Sequence, residues 1–453
     1  MRISGTVLAV VALGGLLQQG AAAAAPAAAD KWVGVWGYVV APEPPGSVGA
    51  PALPPAPPGP AVTPVTPLGV PVAPTPPPAP RVFLPPRLDN PGNVPVDLTT
   101  TDIRNATVRQ LVRVSVQGTR LRLRFSNEQG TEPLTLGAVH IGLAGADGAV
   151  VAGTDHAVTF AGQQGIVIPA SAPALSDPIE LPTQALDRLC ISVLLPGPLA
   201  LRGPRTLFQY VAGPPGDFTS ADTLPGVRLL RIPVLVSLVE SQPRSPTPVL
   251  VALGDSITEG IASTANAFHG WPDRLAERLA SHHWAVVNAG ISGNRLLRYG
   301  AGPSVLARFD RDVLSVPGVR AVILLEGIND IGRGLGAPNS AEPVTAAALE
   351  AADLQVIARA HEHGIRVIGA TLTPYQGASY ASLPGESVRE ALNTWIRTSG
   401  AFDAVIDFAP VVADPGNPLT FNKAYNDGDH LHPNDAGYQA MADAVNLAVL
   451  GTR

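Results

Sequence analysis

The chain has 453 residues, and its 30 Lys and Arg against 36 Asp and Glu leave a net charge of −6 with no block of like charge to follow a phosphate backbone. Nucleic acid is therefore excluded as an expected partner. With 48 prolines and 46 glycines spread along a length suited to two domains, one continuous helical or coiled architecture is excluded as well.

Residues 1–29 carry Arg2, an apolar run of about eleven residues from Val7 to Leu17, and small residues that suit an A-x-A cleavage site. This order predicts a secretory signal peptide and an exported chain. The run is shorter than the roughly 20 apolar residues that span a bilayer, so no stable membrane insertion is expected. No cysteine lies near the cleavage region to take a lipid anchor. Cys190 is the single cysteine, which excludes an intrachain disulfide and leaves stability to buried cores. In LDRLCISVLLPG it falls at strand period and reads as a small buried apolar residue.

Residues 30–41 contain KWVGVWGYVVA, the first strand of a β domain. Residues 42–86 form a proline-rich insertion or spacer, extended or disordered, that can build neither a ladder nor a core. Residues 87–245 read as an accessory β domain, and from about Thr100 to Ser245 the pattern is period two. Arg120, Arg122 and Arg124 alternate with Leu121, Leu123 and Phe125, and Arg113 and Ser115 alternate with Val112, Val114 and Val116. One face is expected to be buried and the other wet. With the further runs HAVTFAG, QGIVIPA, DRLCISVLL, TLFQYVA and LRIPVLVSLV, this predicts an antiparallel β-sandwich. The arginine row reads as a solvated face of such a sheet.

Residues 246–453 alternate short apolar runs with helical patterns. TPVLVALG, AVVNAG, VRAVILLEG, IRVIGATL and FDAVIDFAP read as buried parallel strands, with helices between them and a last one beginning at Pro433. The prediction is α/β: a three-layer α/β/α fold around a parallel five-stranded sheet, preceded by the all-β sandwich. In such open sheets ligands bind beyond the carboxyl ends of the strands.

Those ends carry the chemistry. GDSITEG puts Ser256 in the turn that opens a helix, where backbone N–H groups are free to receive negative charge. NAGISGN supplies Gly290 and Gly293, of which Gly290 reads as a turn glycine, and EGIND places Asn329 in the loop after the third strand. NDGDHLHPND, Asn426 to Asp435, brings Asp429 and His432 three residues apart. A serine hydroxyl becomes a nucleophile when a histidine held by a carboxylate takes its proton, and the oxyanion that forms needs fixed donors. Asp255 reads as structural. Trp271 and Tyr299 flank these segments and either line a cleft or pack in the core.

A metal site fits the same stretch poorly. An EF-hand loop from Asp427 would need an oxygen ligand at Leu431 and glycine at His432. His430 and His432, two apart, lack the remaining ligands a metal needs. Around His361 and His363 the H-E-x-x-H motif is absent, and they read as solvated residues at a helix end. No metal and no cofactor is expected.

Taken in order, GDSITEG, NAGISGN, GIND and DGDHLHP resemble the four signature blocks of the SGNH (GDSL-type) hydrolase family, over about Val249 to Leu450. The β-rich upstream half is similar to the N-terminal region of a secreted bacterial subset of that family, and the proline-rich stretch departs from it. The resemblance implies a flavodoxin-like sheet, Ser256 as nucleophile, His432 as general base and Asp429 as its orienting carboxylate. It implies an oxyanion hole of the Ser256 N–H, the Gly293 N–H and the Asn329 amide. The family spacing that the resemblance implies prefers His432 to His430, which is left to the rim, and Asp429 to Asp427 and Asp435. The α/β-hydrolase elbow G-x-S-x-G is not matched. The expected substrate is an oxygen ester, with acetyl groups on a polysaccharide ahead of a lipase or lysophospholipase substrate. A carbohydrate-binding surface protein is the alternative that is not an enzyme.

Overall fold

The computed structural model describes residues 31–39, 103–146, 148–198, 208–231, 234–336, 340 and 342–451. The expected signal peptide and proline-rich segment lie outside them. Among the described residues no helix is long and apolar enough to cross a membrane.

The strands before residue 246 are β1 (Val33–Gly37), β2 (Ala106–Arg113), β3 (Leu121–Asn127), β4 (Leu134–Leu136), β5 (Val139–Leu143) and β6 (His156–Ala157). They continue with β7 (Ile166–Ile168), β8 (Ala172–Leu175), β9 (Arg188–Leu195), β10 (Phe208–Val211), β11 (Arg228–Arg231) and β12 (Val236–Ser241). Two antiparallel sheets dominate, in the orders β1-β12-β3-β8 and β11-β10-β2-β9-β5-β6. The period-two residues Leu121, Leu123, Phe125, Val112, Ile191 and Val193 are buried, as alternation on a half-buried sheet requires. Cys190 is buried too, its Sγ 3.2 Å from the Gly148 carbonyl oxygen.

The second face is not wet in the way its charges suggest. Arg122 lies opposite Glu240 in the β3–β12 ladder and pairs with it at 2.5 Å, Arg124 pairs with Glu128 at 3.0 Å, and Arg120 donates to Gln242 at 2.6 Å. The Arg122 guanidinium also sits 4.5 Å from the Trp32 ring centroid. Cross-strand ion pairs and cation–π contacts stabilise a sheet face as well as solvation does. One strand earlier the alternation meets protein: Arg113 donates to Glu277 at 2.6 Å, and Ser115 is buried. Period two reports two faces and not what covers each.

The remaining strands and α-helices are β13 (Val249–Gly254), α1 (Ser256–Glu259), α2 (Trp271–Leu279), β14 (Ala285–Gly290), α3 (Val305–Phe309), β15 (Val319–Leu325), α4 (Ile328–Leu335) and α5 (Ala346–Glu362). After them come β16 (Arg366–Ala370), α6 (Leu383–Thr398), β17 (Ala404–Ile406), α7 (Phe408–Val412), β18 (Ala413–Asp414), β19 (Asn417–Phe421) and α8 (Asp435–Ala444). The five-stranded sheet is parallel throughout, in the order β14-β13-β15-β16-β17. This is the doubly wound arrangement, and its order reverses at β13, with β14 on one side and β15 on the other. The small β18–β19 hairpin is an addition that the turn-rich DPGNP had concealed.

β14 is an edge strand, and edge N–H groups left bare invite pairing with other chains. Here β1 packs beside β14 and Ser115 meets its edge at Val286. Ser115 Oγ accepts from the Val286 N–H at 3.0 Å and donates to the Val35 carbonyl at 2.7 Å, while the Gly34 N–H reaches the Pro317 carbonyl at 3.0 Å. One apolar core runs through both halves.

Candidate active site

β13 is buried at every residue and ends at Gly254, so the chain emerges at the carboxyl edge beside β14 and β15. Asp255 caps the helix that follows, its Oδ1 accepting from the Ile257 N–H at 2.9 Å. This side chain is structural, as its place in the turn suggested, and burial pushes its carboxyl up. Ser256 is the first residue of α1 and only 4% exposed.

The distant loop closes on it. His432 Nε2 lies 2.8 Å from Ser256 Oγ, and His432 Nδ1 lies 2.5 Å from Asp429 Oδ2. With its proton on Nδ1, the ring donates to Asp429 and leaves Nε2 to accept from the serine hydroxyl. Asp429 Oδ1 accepts from the backbone N–H groups of Leu431 and His432, each at 2.8 Å. Burial alone would raise this carboxyl. The hydrogen bond and charge of His432, with the backbone donors, outweigh burial and hold it at about 2.

NDGDHLHPND builds its own frame. Asn426 Oδ1 accepts from the Gly428 and His430 N–H groups at 2.8 and 3.0 Å, and Asn426 Nδ2 donates to the His432 carbonyl at 3.0 Å. His430 takes a left-handed φ of 63° and is exposed, its ring against Gly377. Asp435 accepts from Thr264 Oγ at 2.7 Å and from the Thr264 N–H at 2.8 Å, and its Oδ2 lies 2.6 Å from His269 Nδ1. The last helix does not start at Pro433: Asn434 caps it, Oδ1 accepting from Gly437 N–H at 3.0 Å, and α8 begins at Asp435. An asparagine oxygen satisfies a helix donor that a proline ring cannot.

The candidate donors come from the neighbouring strand ends. Gly293 lies in the turn leaving β14 at φ 75°, a conformation that glycine adopts without strain. Gly290 is required for another reason, since a Cβ there would lie 2.2 Å from the Glu259 nitrogen. Asn329 stands in the first turn of α4 and not in a loop, because the helix begins at Ile328 immediately after the turn at Gly327. Tyr380 OH donates to Asn329 Oδ1 at 3.3 Å, and Asn329 Nδ2 is buried with no hydrogen-bond partner. A buried amide N–H₂ left unpaired at a strand end is a donor awaiting an acceptor.

Asp330, the next residue, accepts from the Leu296 and Leu297 N–H groups at 2.7 and 3.1 Å; burial raises its carboxyl to about 6 despite those bonds. Trp271 is fully buried, its ring centroid 5.6 Å from that of Phe408, and belongs to the core; Tyr299 is 43% exposed. His361 pairs with Asp403 at 2.9 Å. Among the described residues no group of three or more His, Cys, Asp or Glu side chains is arranged to hold a metal ion. Arg308 and Glu259 are among the residues that escaped sequence reasoning. Arg308 is buried and bonded to the Gly254 carbonyl, and Glu259 receives the Ser292 N–H at 2.5 Å.

Residues 252–440 match the family model described as GDSL-like Lipase/Acylhydrolase family. Similar solved structures include an alpha/beta hydrolase enzyme from a Lake Arreo metagenome, at 23% identity over 45% of this chain and 95% of that one, with a TM-score of 0.35. Others are a variant of an acetyl xylan esterase from Geobacillus stearothermophilus, at 21% over 46% and 95% with a TM-score of 0.35, and a GDSL-like lipase from Bacteroides thetaiotaomicron, at 20% over 45% and 89% with a TM-score of 0.34. Among curated proteins no sequence matches this one.

Proposed function

We propose that residues 252–440, which match the family model described as GDSL-like Lipase/Acylhydrolase family, are a carboxylic ester hydrolase domain, and that the chain is an exported serine esterase working through an acyl-enzyme. Ser256 is the nucleophile, His432 the general base and Asp429 the group that fixes the imidazole. The Ser256 and Gly293 N–H groups and the Asn329 amide receive the oxyanion. The single observation that carries this reading is the continuous hydrogen-bonded line from Asp429 Oδ2 through His432 to Ser256 Oγ. In the first step Ser256 Oγ bonds to the acyl carbon as its proton passes to Nε2, and the alcohol leaves with that proton. Water then repeats the sequence, freeing the acid and restoring Ser256.

The substrate proposed is an acetyl ester on a polysaccharide. The leader-like N-terminus and the sandwich beside the hydrolase half support an extracellular polymer. One observation favours a second reading, an ester of a longer acyl chain. A cavity of about 290 Å³ is bounded by Tyr375, Gly377, Ala378, Ala381, Leu383 and Leu419 together with the polar Gln376, Ser382 and Glu386; the His430 ring lies beside Gly377, and Leu383 is 82% exposed. A chain-length series of p-nitrophenyl esters separates the two. Activity is expected to be confined to acetate and propionate, and a maximum at long acyl chains would replace the polysaccharide reading with the lipid one.

The Asp429 carboxyl adds a pH signature. Its folded value of about 2 lies below the ordinary 3.8, so its contribution to stability is present above about pH 4 and is lost as the pH falls through 2. The gap in unfolding midpoint between the wild type and Asp429→Asn should therefore close between about pH 4 and about pH 2. A gap unchanged across that window would mean that the carboxylate gains nothing from His432 and the backbone donors around it.

A further inference from the structure

Glu259 is the last residue of α1, one turn beyond Ser256, and its two carboxylate oxygens face different parts of the chain. Oε2 accepts from the Ser292 N–H at 2.5 Å, and Oε1 accepts a short hydrogen bond from Tyr38 OH. Ser292 immediately precedes Gly293. Tyr38 belongs to the sandwich: it follows β1 directly, its N–H donates to the Ser237 carbonyl at 2.9 Å, and it is 7% exposed. One carboxylate therefore joins the nucleophile's helix, the turn that carries a candidate oxyanion donor, and the first strand of the other half of the molecule.

The backbone closes that turn, the Asn294 N–H donating to the Ile291 carbonyl and the Ile291 N–H to the Gly254 carbonyl, each at 3.0 Å, and Glu259 adds a side-chain hold on the N–H between them. Asn288 secures the residues before it, Oδ1 accepting from the Gly290 N–H at 2.8 Å and Nδ2 donating to the Thr258 carbonyl at 2.8 Å. Gly290 packs directly on the Glu259 backbone. At Ser292 the chain has left the strand, and the N–H next to the φ 75° residue is held by Glu259. A carboxylate accepting a backbone N–H makes a charge-assisted bond, roughly twice as strong as a neutral one. Tyr38 fixes the rotamer of that carboxylate from behind.

We propose that Tyr38 and Glu259 are positioning residues for ester hydrolysis, holding the Ser292–Gly293 turn so that the Gly293 N–H points at the oxyanion. The first strand of the sandwich is then a working part of the active site and not a separable appendage. This inference rests on the serine esterase reading. The effect of both side chains falls on a donor used when the oxygen becomes negative, so it enters kcat more than KM.

The test uses the full chain with p-nitrophenyl acetate, counting active sites by complete labelling with a fluorophosphonate. Wild-type turnover tests the underlying reading, and an inactive, unlabelled wild type overturns both it and the inference. With an active wild type, Glu259→Ala is expected to lower kcat per labelled site by about 10- to 100-fold with KM within about twofold. That is less than the 10²–10³ seen when a donor is removed outright. Glu259→Gln, whose amide oxygen still accepts from Ser292, should recover most of the loss. Tyr38→Phe deletes one oxygen and keeps the packing, so it answers even where Glu259→Ala folds poorly; a fall in kcat of about fivefold or more is expected. Tyr38→Phe with kcat and KM both at wild-type values would overturn the proposal, as would Glu259→Gln no better than Glu259→Ala.

Discussion

Ser256→Ala is expected to lower kcat for p-nitrophenyl acetate by about 10⁴- to 10⁶-fold and to abolish covalent labelling by a fluorophosphonate, the range seen when one member of a serine triad is removed. Ser256 is 4% exposed, and its hydroxyl is bonded to an imidazole whose other nitrogen is held by a carboxylate at about 2. On the proposed reading, without Oγ there is no atom to carry the acyl group, and neither His432 nor Asp429 has anything left to activate. The losses should not add. His432→Ala, and the double variant with Ser256→Ala, are expected within about tenfold of the single change, since the three groups act as one unit. The residual rate over water would come from the Gly293 and Asn329 donors, which the change does not touch. Labelling of Ser256→Ala at wild-type speed would place the nucleophile elsewhere and sink the assignment.

How much of this was legible depends on the range of the interaction. Strands such as VLVALG and VILLEG could be read because a strand covered on both faces is apolar at every position, and a few residues suffice to say so. The segments at the strand ends could be read because each carries its chemistry in under ten residues, as Asp429 and His432 do. What escaped was whatever depends on a partner far along the chain. Arg113 and Ser115 alternate with valines as a solvated face would, yet Arg113 meets Glu277, 164 positions later, and Ser115 meets Val286, 171 positions later. Nothing local in a period of two distinguishes water from α2. Tyr38 looked like one more residue of an isolated apolar strand, and only the docking of β1 beside β14 brings it to Glu259. The start of α4 was misplaced by a smaller margin. EGIND contains turn formers, and the helix begins among them because the turn at Gly327 is complete in one residue.

Arg308 is the clearest of these long-range residues, and replacing it by methionine is expected to cost about 3–5 kcal/mol of stability, the range for breaking a buried charge pair. Its guanidinium is 0% exposed. Nη2 donates to the Gly254 carbonyl at 2.9 Å, Nη1 to the Ala289 carbonyl at 2.8 Å and to Asp312 Oδ2 at 3.0 Å, and Nε to Asn294 Oδ1 at 2.9 Å. One planar fork thus ties the end of β13, the end of β14 and the turn beyond Gly293. Methionine fills similar space but leaves a buried carbonyl at Ala289 and the Asn294 amide oxygen without this donor, each a desolvated group that costs about 1–3 kcal/mol when unpaired. Arg308→Lys should recover little, because an ammonium is a single point and cannot reproduce the fork. Arg308→Met with Asp312→Leu should regain only part of the loss, since Arg311 also holds Asp312, at 2.5 Å. Urea unfolding of the full chain near neutral pH measures all three. A loss below about 1 kcal/mol for Arg308→Met, the value for an exposed pair, would show that the strand ends hold their places without it. A loss in the expected range with kcat falling in step would show that the geometry of the Ser256 edge is set from beneath, by a cation that never meets the substrate.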